Sequence, residues 1–226
     1  MGRSGIDVDR ERQRIAQLKY YEEGAYQEGY QLVAGIDEVG RGPIAGPVVA
    51  AAVILPRDFF LRGVNDSKLV NEKNRLSMVQ NIKNEALAWA AVMISPERID
   101  QKNILQATLE AMRTAVLELV PCPDFLLVDA VKIPDMKIVQ YPIIKGDSLS
   151  ISIACASIIA KVERDQVMHT YDQIYPGYGF ARHKGYATRE HLAALAQLGS
   201  CPIHRGSFEP VRSMRADTIH QPGLFE

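Results

Sequence analysis

Leu32–Pro47, LVAGIDEVGRGPIAGP, is the stretch whose reading decides the fold. An apolar run (Val33, Ala34, Ile36) meets two adjacent acids, Asp37 and Glu38. Gly40-Arg41-Gly42-Pro43 follows, then a second apolar run from Val48 to Leu55. Two buried strands joined by a glycine turn make such a pattern. Side chains alternate across a strand, so one of the two acids must face a protein layer or a site. A charge placed there is costly unless it is paired or holds a metal. The placing of Asp37 and Glu38 therefore points to a divalent-metal site at the end of a central strand.

Outward from this stretch the chain alternates. Strands are predicted at Tyr30–Ile36, Val48–Leu55, Leu87–Ile94, Phe125–Ala130 and Val139–Ile144. Helices are predicted over Val8–Tyr26, Asn71–Glu85, from Ser95, and over Asn103–Val120, Ser148–Tyr171 and Thr188–Leu198. The Val48–Leu55 run is apolar almost throughout, as expected where both faces of a sheet are covered. The order predicts an α/β fold: a mixed five-stranded sheet flanked by helices, antiparallel at its start and parallel thereafter. A helical segment follows from about residue 175. The expected division is an N-terminal helical extension over 1–29, a main domain over 30–213 and a flexible tail over 214–226.

The 226 residues suit one domain, and a hydrophobic fraction of 47% supplies a core. A net charge of -1 excludes a global basic signal for nucleic acid, although a local patch depends on placement rather than sum. Three widely spaced cysteines, Cys122, Cys155 and Cys201, predict neither a disulfide framework nor a zinc site. No stretch is long and apolar enough to span a bilayer, and the charged N-terminus lacks a signal-peptide core. A cytoplasmic protein is expected.

Two further acids share the placing of Asp37 and Glu38. Asp129 ends a buried strand, and Asp147 opens the helix after another strand. In open α/β sheets, sites form at the carboxyl ends of strands. Four carboxylates brought together repel, and some protonate unless a cation joins them. Hard divalent cations answer this, and a ligand set without His or Cys favours Mg²⁺ or Mn²⁺ over zinc. Two such ions about 3.5–4 Å apart serve phosphodiester hydrolysis. A helix N-terminus at Asp147 would help to keep that acid ionised.

These residues resemble a known family. Gly35-Ile36-Asp37-Glu38-Val39-Gly40-Arg41-Gly42-Pro43, Asp66-Ser67-Lys68, Val128-Asp129-Ala130, Lys145-Gly146-Asp147 with the run Ser157 to Asp165, Gly185-Tyr186 and His204-Arg205-Gly206-Ser207-Phe208 are similar to bacterial type 2 ribonucleases H, the ribonuclease HII family. The resemblance covers roughly Tyr30 to Ser213. It implies a ribonuclease H-like sheet. It also implies hydrolysis of the RNA strand of RNA–DNA hybrids and incision of duplex DNA 5′ of embedded ribonucleotides, in ribonucleotide excision repair and RNA primer removal. Asp37, Glu38, Asp129 and Asp147 would be the catalytic acids, binding two Mg²⁺ or Mn²⁺ ions with substrate. Gly40, Arg41 and Gly42 would recognise the ribose 2′-hydroxyl, the group that separates RNA from DNA. Tyr186 would pack on the neighbouring sugar.

Ser67, Lys68, Lys145, Lys161, Arg164, His183, Lys184 and Arg205 are the remaining candidates for substrate contact. Asp165 lies too far along its helix from Asp147, at about 1.5 Å per residue, and is read as structural. Cys155 stands where the family pattern suggests alanine, and it suits tight packing. Gln221, Leu224 and Phe225 are similar to a short motif that docks on the bacterial sliding clamp, an apolar end suited to a partner's groove. A monomer is expected.

Two alternatives stand beside this reading. A type 3 ribonuclease H resembles the sheet, but Arg41 and the short stretch before it argue against that type. A non-catalytic hybrid-binding module would not need all four acids.

Overall fold

The structure, a computed structural model, describes residues 3–64 and 71–214, with side chains from Val8 onward. Ser67, Lys68, Gln221, Leu224 and Phe225 lie outside the described residues. The strands are β1 (Val33–Val39), β2 (Val48–Ile54), β3 (Ala88–Ile94), β4 (Phe125–Asp129) and β5 (Val139–Ile143). They form one five-stranded sheet in the order β3-β2-β1-β4-β5. β1 runs antiparallel to β2, from Ala34↔Ile54 to Val39↔Val49. It runs parallel to β4, which runs parallel to β5. The mixed sheet expected from the alternation is therefore present, with β1 at its centre.

The helices are α1 (Arg3–Leu18), α2 (Tyr20–Gln27), α3 (Glu72–Glu85), α4 (Pro96–Lys102), α5 (Ile104–Leu117), α6 (Ile151–Ile174), α7 (Phe180–His183) and α8 (Arg189–Leu198). Their starts follow local chemistry. Asn71, Ser95 and Thr188 each accept a bond from the backbone N–H three residues on, which satisfies a donor the helix leaves open. The single N-terminal helix expected over Val8–Tyr26 is two helices, with a turn at Lys19 (φ -88°, ψ 4°). Each half buries residues of its own, Ile15 and Leu18 from α1 and Glu22 and Ala25 from α2.

The chain forms two compact units. The first is drawn from Met1–Val39, Val49–Val92 and Leu109–Glu163, and the second from Gly40–Val48, Met93–Thr108 and Arg164–Glu226. In the first, β2 side chains Val49, Ala51 and Val53 pack with Ala154, Cys155, Ile158 and Ile159 of α6. Small side chains allow this, and at one point the approach excludes any side chain. A Cβ on Gly35 would lie 2.1 Å from the Ser152 carbonyl carbon and 2.4 Å from the Ile153 nitrogen.

The N-terminus of α6 is tied to α2. Glu22 is buried, and its Oε1 accepts from the Ser150 hydroxyl at 2.6 Å and the Ser152 N–H at 2.9 Å. An acid there complements the helix dipole and fills donors the first turn leaves open. Burial pushes the Glu22 carboxyl above its usual range.

The second unit has its own apolar centre. Ala45, Met168, Tyr178, Phe180, Cys201 and Ile203 pack together, while Ile44, Leu195 and Val211 form a satellite.

Candidate active site

The two acids of the opening stretch lie inside β1, which continues three residues further than the predicted strand and ends at Val39. Asp37 pairs across the sheet with Ala51 and Glu38 with Ala50, small neighbours that leave room for carboxylates. On the other side the parallel register joins Ile36 to Val128, so the next residues, Asp37 and Asp129, stand side by side at the strand ends. One carboxylate oxygen each from Asp37, Glu38 and Asp129 lies within 4.8 Å of the others.

Asp37 is 5% exposed, while Glu38 and Asp129 are half-buried. Asp37 Oδ1 accepts from the Glu38 N–H at 2.7 Å. Burial, then the charge of Glu38, push the Asp37 carboxyl well above its ordinary range. The Ser157 hydroxyl, from α6, bonds to it and acts the other way, and Asp129 adds to the rise. Three hard oxygen donors that repel at such range fit a divalent cation, which would relieve the repulsion that now raises the Asp37 pKa.

Asp129 is fixed by the turn after β5. Its Oδ1 accepts from the Gly146 N–H at 2.7 Å. Asp147 is the next residue, yet it does not open the long helix as expected. It sits in a short 3-10 turn, Gly146–Ser148, and α6 begins at Ile151. The α6 terminus is held by Glu22 instead. Asp147 is half-buried and is not in the group of three carboxylates. Lys145, just before it, is exposed and left-handed (φ 59°). Lys161, further along α6, is half-buried.

In the second unit the glycine–arginine loop is built on two buried arginines. Arg205 donates from Nη2 to the Gly40 carbonyl at 2.6 Å, from Nη1 to the Arg41 carbonyl at 3.0 Å and from Nε to the Gly46 carbonyl at 3.0 Å. Arg164 donates from Nε to the Pro47 carbonyl at 2.9 Å and from Nη2 to the Ala45 carbonyl at 3.2 Å. Both side chains are wholly buried. The phosphate contacts expected of Arg164 and Arg205 thus give way to backbone carbonyls. Gly40 is packed against this support: its φ is +100°, and a Cβ would meet Arg164 Nε at 2.3 Å. Arg41 and Gly42 are exposed, and a Cβ on Gly42 would be 3.7 Å from the ring of Tyr186, itself 46% exposed.

His183 and Lys184 are corrected in the same way. His183 is buried, with Nε2 against the Tyr178 carbonyl at 2.8 Å and Nδ1 accepting from the Gly185 N–H at 3.2 Å. Lys184 is buried, and its Nζ meets the Ala181 carbonyl and His169 Nε2. These groups hold the turn that presents Tyr186, and the partners named here lie within the protein.

A histidine relay that sequence reasoning missed lies behind Tyr186. His191 Nδ1 is 2.8 Å from the Tyr186 carbonyl and its Nε2 is 3.1 Å from His204 Nε2. His204 Nδ1 accepts from the Cys201 N–H at 3.0 Å. A carbonyl only accepts, so His191 Nδ1 carries the proton. Burial pushes His191 down to about 4, so the ring is neutral and its Nε2 accepts from His204. The ring of His183 stacks on that of His191 with centroids 4.2 Å apart. The only sequence signal was a cluster of His residues in a Gly-rich segment, and spacing does not tell such a relay from surface histidines.

A pH dependence follows. The unfolded His191 titrates near 6.5 and the folded one near 4, so the unfolded chain binds the extra proton between these values. Stability contributed by neutral His191 is present above pH 6.5 and is lost as pH falls toward 4. About 1.5 kcal/mol is expected to go between pH 6.5 and 5, the slope approaching about 1.36 kcal/mol per pH unit once the unfolded histidine is fully protonated. Urea unfolding at the two pH values checks this, and His191→Gln is expected to show the shallower descent.

Comparison with known proteins gives the relatives of this chain. The family model for ribonuclease HII matches residues 34–211. A ribonuclease HII of Syntrophomonas wolfei is 56% identical over 99% of this chain and 91% of its own length. Among solved structures, the ribonuclease H2 of Pyrococcus horikoshii shares the fold, with a TM-score of 0.73 at 24% identity over 84% of this chain and 100% of that one. The ribonuclease HII in a complex with PCNA from Archaeoglobus fulgidus gives a TM-score of 0.67 at 28% identity, covering 79% of this chain and 96% of that one.

Proposed function

The chain belongs to the ribonuclease HII family, and from that premise we propose which residues perform its ribonuclease H activity and on what substrate. The chain is an endonuclease that acts on RNA–DNA hybrids and depends on divalent metal. We assign Asp37, Glu38 and Asp129 as the residues that hold the cation, with Asp147 joining them when substrate is bound. The observation that carries this is the convergence of three carboxylate oxygens within 4.8 Å, one of them on a buried acid.

An all-oxygen donor set favours Mg²⁺ or Mn²⁺. Such ions, when bound, neutralise phosphate charge and acidify water, the two requirements of phosphodiester hydrolysis. The chain's own residues do the rest. Ser157 and the Glu38 N–H orient the Asp37 carboxylate, and the Gly146 N–H orients that of Asp129. Arg41 and Gly42 offer backbone amides to the ribose 2′-hydroxyl, and the exposed ring of Tyr186 packs on the adjacent sugar. Lys145 and Lys161 supply charge for phosphate. The substrate so recognised is a ribonucleotide embedded in duplex DNA as well as a long hybrid, which suits repair of misincorporated ribonucleotides and removal of RNA primers. The free thiols Cys122, Cys155 and Cys201 suit a reducing cytoplasm.

The test is an end-labelled DNA duplex containing one ribonucleotide, incubated with Mg²⁺ or Mn²⁺. A single cut immediately 5′ of the ribonucleotide, abolished by chelator, is expected. Cleavage of long hybrids alone would overturn the assignment of the Arg41–Gly42 loop, and no cleavage with either ion would overturn that of the acids.

A sliding-clamp partner is also proposed, on the Gln221, Leu224 and Phe225 motif. Co-elution with the clamp, lost when residues 221–226 are deleted, is the expected result.

A further inference from the structure

The two buried arginines behind the loop do more than fill space. A trans peptide is planar, with its carbonyl and the following N–H pointing in opposite directions. Arg205 holds the Gly40 carbonyl at 2.6 Å and the Arg41 carbonyl at 3.0 Å. The N–H of Arg41 and the N–H of Gly42 are therefore turned away from the buried guanidinium. Both residues are exposed, and the ring of Tyr186 stands beside Gly42. One buried side chain thus sets the direction of two adjacent donors on the patch that also carries an exposed aromatic ring.

Arg205 is itself held from several sides. Its own N–H donates to the Ile44 carbonyl at 2.9 Å. Its guanidinium lies 5.0 Å from the centroid of the Phe208 ring. The residues that follow are anchored on the Asp100 carboxylate, which accepts from the Gly206 N–H at 2.7 Å and from the Ser207 N–H at 2.9 Å. Three carbonyls from Gly40, Arg41 and Gly46 converge on its guanidinium. Only a planar fork can serve them at once; a lysine ammonium is a single point donor on a flexible stem.

We propose that Arg205 is a positioning residue for ribonucleotide discrimination: by pinning the carbonyls of Gly40 and Arg41, it aims the amides of Arg41 and Gly42 at the ribose 2′-hydroxyl. This rests on the recognition role assigned above to the loop. The charge of Arg205 is spent inside the protein, so it acts on specificity and not on general affinity for duplex.

The experiment measures binding in chelator, where nothing is cut, to two duplexes of one sequence: all DNA, and DNA with a single ribonucleotide. Wild type is expected to prefer the ribonucleotide duplex. Arg205→Lys keeps a donor but not the planar fork and is expected to lose about tenfold of that preference, the worth of one ordinary hydrogen bond. Its affinity for all-DNA duplex is expected to stay within about twofold of wild type. A merely structural role would weaken both duplexes together and leave their ratio unchanged.

A folded Arg205→Lys with the wild-type ratio would overturn the proposal. Should that variant not fold, the wild-type protein decides. The Arg41 and Gly42 amide resonances are expected to shift with the ribonucleotide duplex and not with the all-DNA duplex, and equal behaviour with both would refute the aiming of these amides. A wild type with no preference at all would refute the loop's recognition role instead, and the proposal with it.

Discussion

Asp37→Asn is expected to lower cleavage by more than about a hundredfold and, in metal-free buffer, to raise the melting temperature. The loss follows from the site. Removing a supporting partner of a metal ligand already costs about 10–100-fold, and Asp37 is proposed as a ligand itself. The gain follows from the same geometry. Asp37 is 5% exposed, and burial, Glu38 and Asp129 all disfavour its charge. At neutral pH the folded protein either carries that repulsion or holds a proton that the unfolded chain has released, and both cost stability.

Asparagine has nearly the same shape and its Oδ1 still accepts from the Glu38 N–H, so little packing is lost. A rise of about 2–4 °C is expected, the shift that about 1 kcal/mol makes in a domain of this size. Added Mg²⁺ is expected to stabilise the wild type, since a ligand of the folded state raises its stability by mass action, and to do so much less in the variant. Thermal melts with and without Mg²⁺ check both parts. A variant that melts lower than wild type without metal would show that Asp37 is not under the repulsion described.

Gly35→Ala is expected to cost about 3 kcal/mol or more, a fall of roughly 6–12 °C in melting temperature. The added methyl would sit 2.1 Å from the Ser152 carbonyl carbon and 2.4 Å from the Ile153 nitrogen. These are backbone atoms of the first turn of α6 and cannot swing aside as a side chain could. The helix would have to lift from β1. Its first turn is also tied to Glu22 through Ser150 and Ser152, so the displacement would strain a second contact. Activity is expected to fall further than stability alone explains, because α6 brings Ser157 to Asp37 and follows the turn that holds Asp129 and Asp147. Melting curves together with cleavage at a temperature where the variant is folded separate the two effects. A melting temperature within about 2 °C of wild type would refute the close approach.

Much of this was legible along the chain because it depends on local periodicity. The apolar runs of β1, β2 and β4 are long enough to name their strands, and Pro96 after Ser95 marks a helix start. The acids were visible because a charge at the end of an apolar run has few inexpensive explanations. Boundaries were less legible: β1 continues through Asp37 and Glu38, because strand pairing with Ala51 and Ala50 outweighs the polarity of the two side chains.

Asp147 misled for a different reason. A carboxylate ahead of an apolar helical stretch has the composition of an N-cap, and only the structure shows that Glu22, from far earlier in the chain, holds that helix end instead. Arg164, His183, Lys184 and Arg205 read as surface cations because sequence records charge and not burial. A guanidinium satisfied by carbonyls up to 165 positions away carries no local mark of it.

By itself, then, the sequence determined the α/β class, the central strand, the oxygen-only donor set and the family resemblance, since these depend on residue type and near spacing. Tertiary structure alone decided which of the four acids converge: Asp37, Glu38 and Asp129 do, although strand alternation sends the first two to opposite faces. It alone decided that Arg205 supports the Gly40–Gly42 loop from within. Convergence and burial are set by contacts between residues distant in the chain, whose geometry no local pattern encodes.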